Sequence, residues 1–230
     1  MVFVAEIGSN HMASKSLAYE MVRQSALAGA NIAKFQLGHW RPKEACPETA
    51  PQWLRYAPMA WAQDIATWCD DFGILFMASI FSMDGLRMAR SVGMKAYKMA
   101  SPKAFAEHGK GSQDTILKAM LNDGVPIYAT NRVSPVHKSL HPIFAVTNYP
   151  TYPKDVEFPE FGKTWFGYSS HVHGIADALI AISRGAKYIE KHLTLNRTEL
   201  SIKDNHFALT PDDFKQMVVI GQQIARLIDA

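Results

Sequence analysis

The sequence predicts an α/β fold: a closed (β/α)8 TIM barrel with reduced fifth and sixth helices, spanning residues 1–230 as one catalytic domain. Three observations lead there. Short apolar runs alternate with amphipathic segments along the chain, as in a parallel α/β sheet. A glycine closes the segment before a strand at Gly29, Gly73, Gly93, Gly124 and Gly185, so one unit recurs. Eight strand-like runs fit within 230 residues, a length that suits a closed barrel. The alternative is a doubly wound open sheet. That fold usually carries a glycine-rich phosphate loop after its first strand, and neither G-x-G-x-x-G nor a P-loop occurs.

The elements follow in order. Val2–Ile7 reads as the first strand, ending in the polar cluster Glu6-Ile7-Gly8-Ser9-Asn10-His11. Ser14 can cap a helix running to about Ala28. Asn31–Gln36 is the second strand, and His39–Pro51, with three prolines, reads as loop. Ile65, Trp68, Cys69 and Phe72 mark a helix face before the third strand, Ile74–Ser79. A short helix around Leu86 leads to the fourth strand, Lys95–Ala100. Ser112 caps a helix bearing Ile116, Leu117, Met120 and Leu121, followed by the fifth strand, Pro126–Thr130. Only Asn131–His141 then precedes the sixth strand, Pro142–Asn148, barely room for one helical turn. Tyr149–Thr164, with Pro150, Pro153 and Pro159, reads as irregular. Trp165–His171 and Lys187–Thr194 are the last two strands, with Ile175, Leu179 and Ile182 at helical spacing between them. Thr210, Pro211 and Asp213 signal the start of a final helix whose face carries Phe214, Met217, Val218, Gly221, Ile224 and Ile228.

Composition bounds the function. Hydrophobic residues are 48% and charged residues 20%, a globular profile. No run of about 18 apolar residues occurs, so no membrane span is expected. The N-terminal stretch lacks the basic and apolar regions of a signal peptide. With Cys46 and Cys69 as the only cysteines, a reduced, cytoplasmic setting is the expectation. The net charge of +3 is scattered without a basic face, which argues against nucleic acid and suits anionic substrates.

The chemistry falls at strand ends, which in a parallel barrel form the active face. His171 and His192 end the last two strands, where two imidazoles could share one metal ion. Either alone reads more readily as a satisfied polar residue than as a ligand; the pair, with Glu190 on the same strand face as His192, is what points to a site. Lys34 and Lys98 lie inside apolar strands, a costly place for an unpaired ammonium. Each could pair with Glu6 or Glu190 and mean nothing more. With serines at the same rim they also fit an anion cradle for phosphate or carboxylate. No G-x-S-x-G elbow and no H-E-x-x-H motif is present.

Six blocks then carry a resemblance. They are Ala5-Glu6-Ile7-Gly8-Ser9-Asn10-His11, Lys34-Phe35-Gln36 after Ala28-Gly29-Ala30, Tyr97-Lys98-Met99-Ala100-Ser101, Thr147-Asn148-Tyr149-Pro150-Thr151, Gly167-Tyr168-Ser169-Ser170-His171 and Ile189-Glu190-Lys191-His192-Leu193-Thr194. In order and spacing they resemble the sialic acid (N-acetylneuraminate) synthase family over nearly the whole chain. The resemblance implies a barrel that condenses phosphoenolpyruvate with an amino-sugar aldehyde. It implies a divalent metal, Mn2+ with Mg2+ or Co2+ as alternatives, on His171 and His192. It places phosphoenolpyruvate on Lys34, Ser79, Lys98, Ser101 and Ser169, and gives catalytic roles to Glu6 and Asp204. Asn10, Gln36 and Asn148 complete the expected substrate contacts. The expected partners are those two substrates, and the pattern leaves room for a homo-oligomer. The family's C-terminal antifreeze-like domain, which brings an arginine to a partner's active site, has no counterpart in these residues. Departures cluster at the sugar side. Ser101-Pro102-Lys103 replaces Ser-Gly-Glu or Ser-Gly-Asp, and Arg132 follows the fifth strand; the two cations fit either a sugar bearing an anionic group or a pair of solvated loop residues, with Glu107 as a partner for Lys103. The alternatives are a degenerate barrel that binds phosphoenolpyruvate or a sugar acid without turnover, and a Schiff-base aldolase using Lys34 or Lys98.

Overall fold

A computed structural model of the chain describes residues 1–38, 58–198 and 203–228. The expected loop His39–Pro51 lies outside them. The strands are β1 (Val2–Glu6), β2 (Ile32–Leu37), β3 (Leu75–Ile80), β4 (Tyr97–Met99), β5 (Ile127–Thr130), β6 (Leu140–Phe144), β7 (Gly167–Ser170) and β8 (Tyr188–His192). They pair in parallel and in sequence order, and β8 returns to β1 to close the barrel. The helices are α1 (Lys15–Leu27), α2 (Ala62–Asp71), α3 (Met83–Ser91), α4 (Pro102–His108), α5 (Gln113–Leu121), α6 (Ala176–Ser183) and α7 (Pro211–Ile228).

Hydroxyl caps fix where the helices start. The Oγ atoms of Ser14, Ser82, Ser101 and Ser112 each accept a backbone N–H from the first turn of α1, α3, α4 and α5. Thr210 and Asp213 bond reciprocally at the start of α7, as its sequence predicts. Helix α4 was not foreseen as a separate element. No helix follows β5, and a single 3-10 turn, Pro153–Asp155, follows β6, so the fifth and sixth helices are reduced as expected.

The sixth strand is shifted from the predicted Pro142–Asn148 to Leu140–Phe144. Pro142 has no N–H to donate, but its carbonyl accepts from Phe166 N at 2.8 Å, so it sits inside the strand. Past Phe144 the chain is drawn off. The Asn131 amide donates to Ala145 O at 2.8 Å and accepts from Ala145 N at 2.9 Å, satisfying backbone groups that would otherwise extend the ladder.

Side chains alternate across each strand. One face points out to the helices. The other fills the lumen, where Val4, Ile32, Met77, Ala96, Tyr128, Ile143 and Tyr188 form one buried layer. Above that plug, toward the C-terminal ends, the lumen turns polar. Gly167 lets β7 approach β8 here. A Cβ on it would lie 2.3 Å from the Tyr188 carbonyl oxygen and 2.5 Å from the Tyr188 Cβ. Gly167→Ala is therefore expected to force the strands apart and cost about 1–3 kcal/mol, as overpacking does. A urea unfolding midpoint equal to the parent's would show that the close approach is not needed.

Candidate active site

The polar chamber begins one layer above the plug. Register sets its floor, since Glu6 pairs with Lys34, Gln36 with Ser79, Ser79 with Lys98 and Ser169 with Glu190 across neighbouring strands. Glu6, Lys34, Lys98 and Glu190 are each 4% exposed or less. Lys34 is in direct ion-pair contact with Glu6, and its Nζ donates to Ser79 Oγ at 2.9 Å. Lys98 donates to Thr130 Oγ1. Glu190 lies between the lysines, its Oε1 3.6 Å from each Nζ. Ser169 Oγ donates to that same oxygen at 2.8 Å, while the Tyr188 phenol donates to Oε2. Gln36 donates to Glu6 at 3.3 Å.

Electrostatics follows from this packing. Burial opposes ionisation of Glu190, but Lys34 and Lys98, with the Tyr188 and Ser169 hydrogen bonds, hold its carboxyl well below the usual range. Burial raises Glu6 to about 7, against the pull of Lys34 and with the repulsion of Glu190. Burial also brings Lys98 down to about 8, with Glu190 opposing. For Lys34 the two carboxylates outweigh burial and raise its pKa. Near neutral pH the chamber thus holds one firm carboxylate, one carboxyl poised to exchange a proton, and two ammoniums.

His171 and His192 stand at the next level, 7% exposed each, with ring centroids 5.6 Å apart. His171 Nδ1 donates to the Val146 carbonyl at 3.1 Å, which places the lone pair on Nε2. His192 Nδ1 is buried without a hydrogen-bond partner among the described residues, and its nearest carboxylate oxygen is Asp204 Oδ2 at 3.7 Å. Burial depresses both rings to about 3, with His192 adding to the fall at His171 and Lys34 adding to it at His192, so they are neutral and their ring nitrogens are available to a ligand. Phe207 meets both rings edge-on, and Tyr149 lies 4.1 Å from His171. Gly8 keeps the space beside them open. A Cβ there would lie 3.1 Å from Asp204 Oδ2, 3.2 Å from Glu6 Oε1 and 3.4 Å from His192 Cε1.

These residues fit a divalent ion. With metal–nitrogen bonds of about 2.1 Å, two imidazoles sharing one ion have centroids roughly 4.5–6 Å apart. The unpartnered His192 nitrogen and the oriented His171 tautomer suit that use, while among the described residues no set of three His, Cys, Asp or Glu side chains closes on one point.

Most of the predicted residues converge. Lys34, Lys98, Ser79, Ser169, Gln36 and Glu6 share the chamber, and Asp204 reaches His192. Asn10 lies beside them, 2% exposed, donating to Leu193 O at 2.8 Å with its Oδ1 lacking a hydrogen bond among the described residues. Ser101 is buried, but its hydroxyl accepts from Ala104 N as the α4 cap. Asn148 does not join. It is exposed, in the segment that Asn131 draws away, and its carbonyl serves Thr151 at 2.8 Å. The expectation that Lys103 and Arg132 bind an anionic sugar group also loses its footing. Arg132 is turned to Asp114 and to Gln113 Oε1, and the exposed Lys103 donates to Thr147 O at 3.2 Å. Tyr188 escaped the sequence-based site, and Glu190 entered it only as a counter-ion for the lysines. Glu190 had a visible signal, a carboxylate two residues before His192 on one strand face. Tyr188, on that same face, reads as an ordinary apolar strand residue.

Comparison with known proteins places the chain in a family. The pattern of the NeuB family matches residues 21–108 and 136–229, so the chain belongs to that family. Human N-acetylneuraminate-9-phosphate synthase is 25% identical over 94% of this chain, which spans about two thirds (67%) of that protein. A pseudaminic acid synthase of Campylobacter jejuni is 24% identical, covering 94% of this chain and 71% of that protein. The crystal structure of N-acetylneuraminic acid (sialic acid) synthetase from Leptospira borgpetersenii, in complex with citrate, superposes with a TM-score of 0.77 at 24% identity. It covers 99% of this chain and 85% of that one, a likeness of fold. The resemblance seen in the motif blocks is thereby borne out, as is the barrel.

Glu190 supports both lysines, so Glu190→Gln is expected to leave buried ammoniums short of countercharge and cost about 3–5 kcal/mol. Chemical denaturation of parent and variant measures it. A loss under about 1 kcal/mol would mean that the lysines find other partners.

Proposed function

We propose that this chain condenses phosphoenolpyruvate with an amino-sugar aldehyde, giving a sialic-acid-like nonulosonic acid and phosphate. The observation that carries the reading is the convergence of Lys34, Lys98, Ser79 and Ser169 in one buried chamber directly beneath His171 and His192. Relatives named as N-acetylneuraminate-9-phosphate and pseudaminic acid synthases support the substrate class.

In this reading Lys34 and Lys98, with Ser79 and Ser169, bind the carboxylate and phosphate of phosphoenolpyruvate. That is mainly positioning and charge stabilisation in a water-poor site. A divalent ion on His171 and His192, Mn2+ before Mg2+ or Co2+, supplies Lewis-acid polarisation of an aldehyde oxygen when bound. The new bond joins C3 of phosphoenolpyruvate to the aldehyde carbon. Water adds at C2, and phosphate departs with its bridging oxygen as C2 becomes the product's ketone carbon. Glu6, with its carboxyl near 7, can take the proton of that water. Asp204, beside His192 and the open space at Gly8, can hold a sugar hydroxyl.

The test mixes the protein with phosphoenolpyruvate, Mn2+ and a panel of N-acetyl-amino-sugar aldehydes, and assays released phosphate. Phosphate is expected only when both substrates are present. Lys98→Met is expected to lower kcat/KM at least 100-fold, about 2.7 kcal/mol at the tenfold-per-1.36 kcal/mol exchange. No phosphate with any aldehyde or divalent metal would overturn turnover and leave a binding barrel. One observation favours a second reading. The lowered pKa of Lys98 leaves part of it as a free amine, as a Schiff-base lysine requires. Borohydride trapping with pyruvate labels the protein only in that case.

A further inference from the structure

Behind the two histidines, on the outer face of the same strands, lies a second buried polar cluster that the proposed chemistry does not use. Lys191 stands between Glu190 and His192 in sequence, but alternation sends its side chain out toward α6. That side chain is fully buried. Its Nζ donates to Ser170 Oγ at 2.9 Å and to the Val172 carbonyl at 2.6 Å, and lies 3.4 Å from Asp177 Oδ1. Ser170 Oγ donates to the other Asp177 oxygen and accepts from Val172 N at 3.2 Å. Asp177, in the first turn of α6, is 7% exposed.

Ser170 and Lys191 meet at one peptide, while the Tyr168 phenol also bonds Ser170 and Asp177. Val172 directly follows His171. Its N–H is held by Ser170 and its carbonyl by Lys191, and its backbone bridges Thr151. Thr151 N in turn donates to the His171 carbonyl at 3.1 Å. The loop bearing His171 is thus pinned on both sides of that residue, while Val146 O orients the ring itself. For stability alone an apolar pair of similar volume would serve as well as a buried Lys–Asp pair. A charged latch supplies direction, because an ammonium and a carboxylate with filled hydrogen-bond positions tolerate only one loop geometry.

We propose that Lys191 is a positioning residue for the metal centre. With Asp177 and Ser170 it latches the Val172 peptide and so aims His171 at an ion shared with His192. This rests on the metal reading given above.

The test is a Mn2+ titration of the metal-stripped protein, with free Mn2+ read by electron paramagnetic resonance and no turnover required. The deciding variant is Lys191→Met/Asp177→Asn, which removes both charges and leaves no ion unpaired. The control is Ile182→Ala, a buried truncation on α6 away from the polar cluster. The latch variant is expected to raise the Kd for Mn2+ at least tenfold and to alter the bound-ion spectrum. Ile182→Ala is expected to lower Tm yet keep the parent's Kd within twofold. Should the double variant fail to fold, Asp177→Asn alone decides on the same criteria, with a Kd rise of about threefold. A folded latch variant with the parent's Kd overturns the proposal, as does an equal loss in Ile182→Ala. A parent that binds no Mn2+ overturns the metal reading and the latch with it. A parent that binds Mn2+ while the latch variants match it overturns the latch alone.

Discussion

The structure turns on pairing two ammoniums with two carboxylates inside an apolar tube. Lys34 and Lys98 cannot reach water from the lumen, and taking an ion out of water costs several kcal/mol. Glu6 and Glu190 offset that cost only because strand register brings them to the same level. Glu6 is the direct neighbour of Lys34 on the adjacent strand, and Glu190 reaches across the lumen to both lysines. A slip of one residue on β8 would turn Glu190 outward and Lys191 inward, leaving three ammoniums with Glu6 alone to balance them. Barrel closure and the charge cluster therefore depend on each other.

The layer below serves the same constraint. Tyr188 belongs to the plug, stacked on Tyr128 at 4.6 Å, yet its phenol reaches up to Glu190. The carboxylate is thus fixed from beneath by a ring that cannot move without disturbing the plug, and from the side by Ser169. Gly167 makes room for that ring's backbone at the β7–β8 contact. On the far side of β8, Lys191 uses the other face of the strand to hold the loop that carries His171. Two strands thus carry the chamber's side chains inward and their support outward, which the two-residue period of a strand makes possible.

Much of this was legible in the sequence, for physical reasons that differ by residue. The strands and most helices announced themselves through apolar runs, glycine stops and hydroxyl caps, because those signals act locally. Lys34 and Lys98 stood out because a lysine inside an apolar strand demands a partner. The rest depended on distant contacts. Ser101 reads the same whether its hydroxyl faces a ligand or caps α4. Asn148 sits at a predicted strand end, but Asn131, far along the chain, ends that strand early. Arg132 was read as a free cation until Asp114, on a helix from the preceding unit, came to meet it. Tyr188 gave no polar signal, since nothing local distinguishes a phenol that bonds a carboxylate from one that only packs.

The placement of cations also bears on how the chamber would hold an anion. An ammonium has three donors. Lys34 uses them on Glu6 and Ser79, with Glu190 at 3.6 Å, whereas the hydrogen-bond partner of Lys98 among the described residues is Thr130, with Glu190 again at 3.6 Å. Lys98 is the more loosely held of the two, and burial lowers its pKa, with Glu190 opposing and the neighbouring Lys34 adding to the fall. An anion entering above the plug would supply what it lacks and would raise its affinity for the proton in return, since linkage between the two is reciprocal. At the rim, by contrast, Arg132 is already neutralised by Asp114. The cation short of countercharge thus lies deep in the lumen, where low dielectric makes each charge count most.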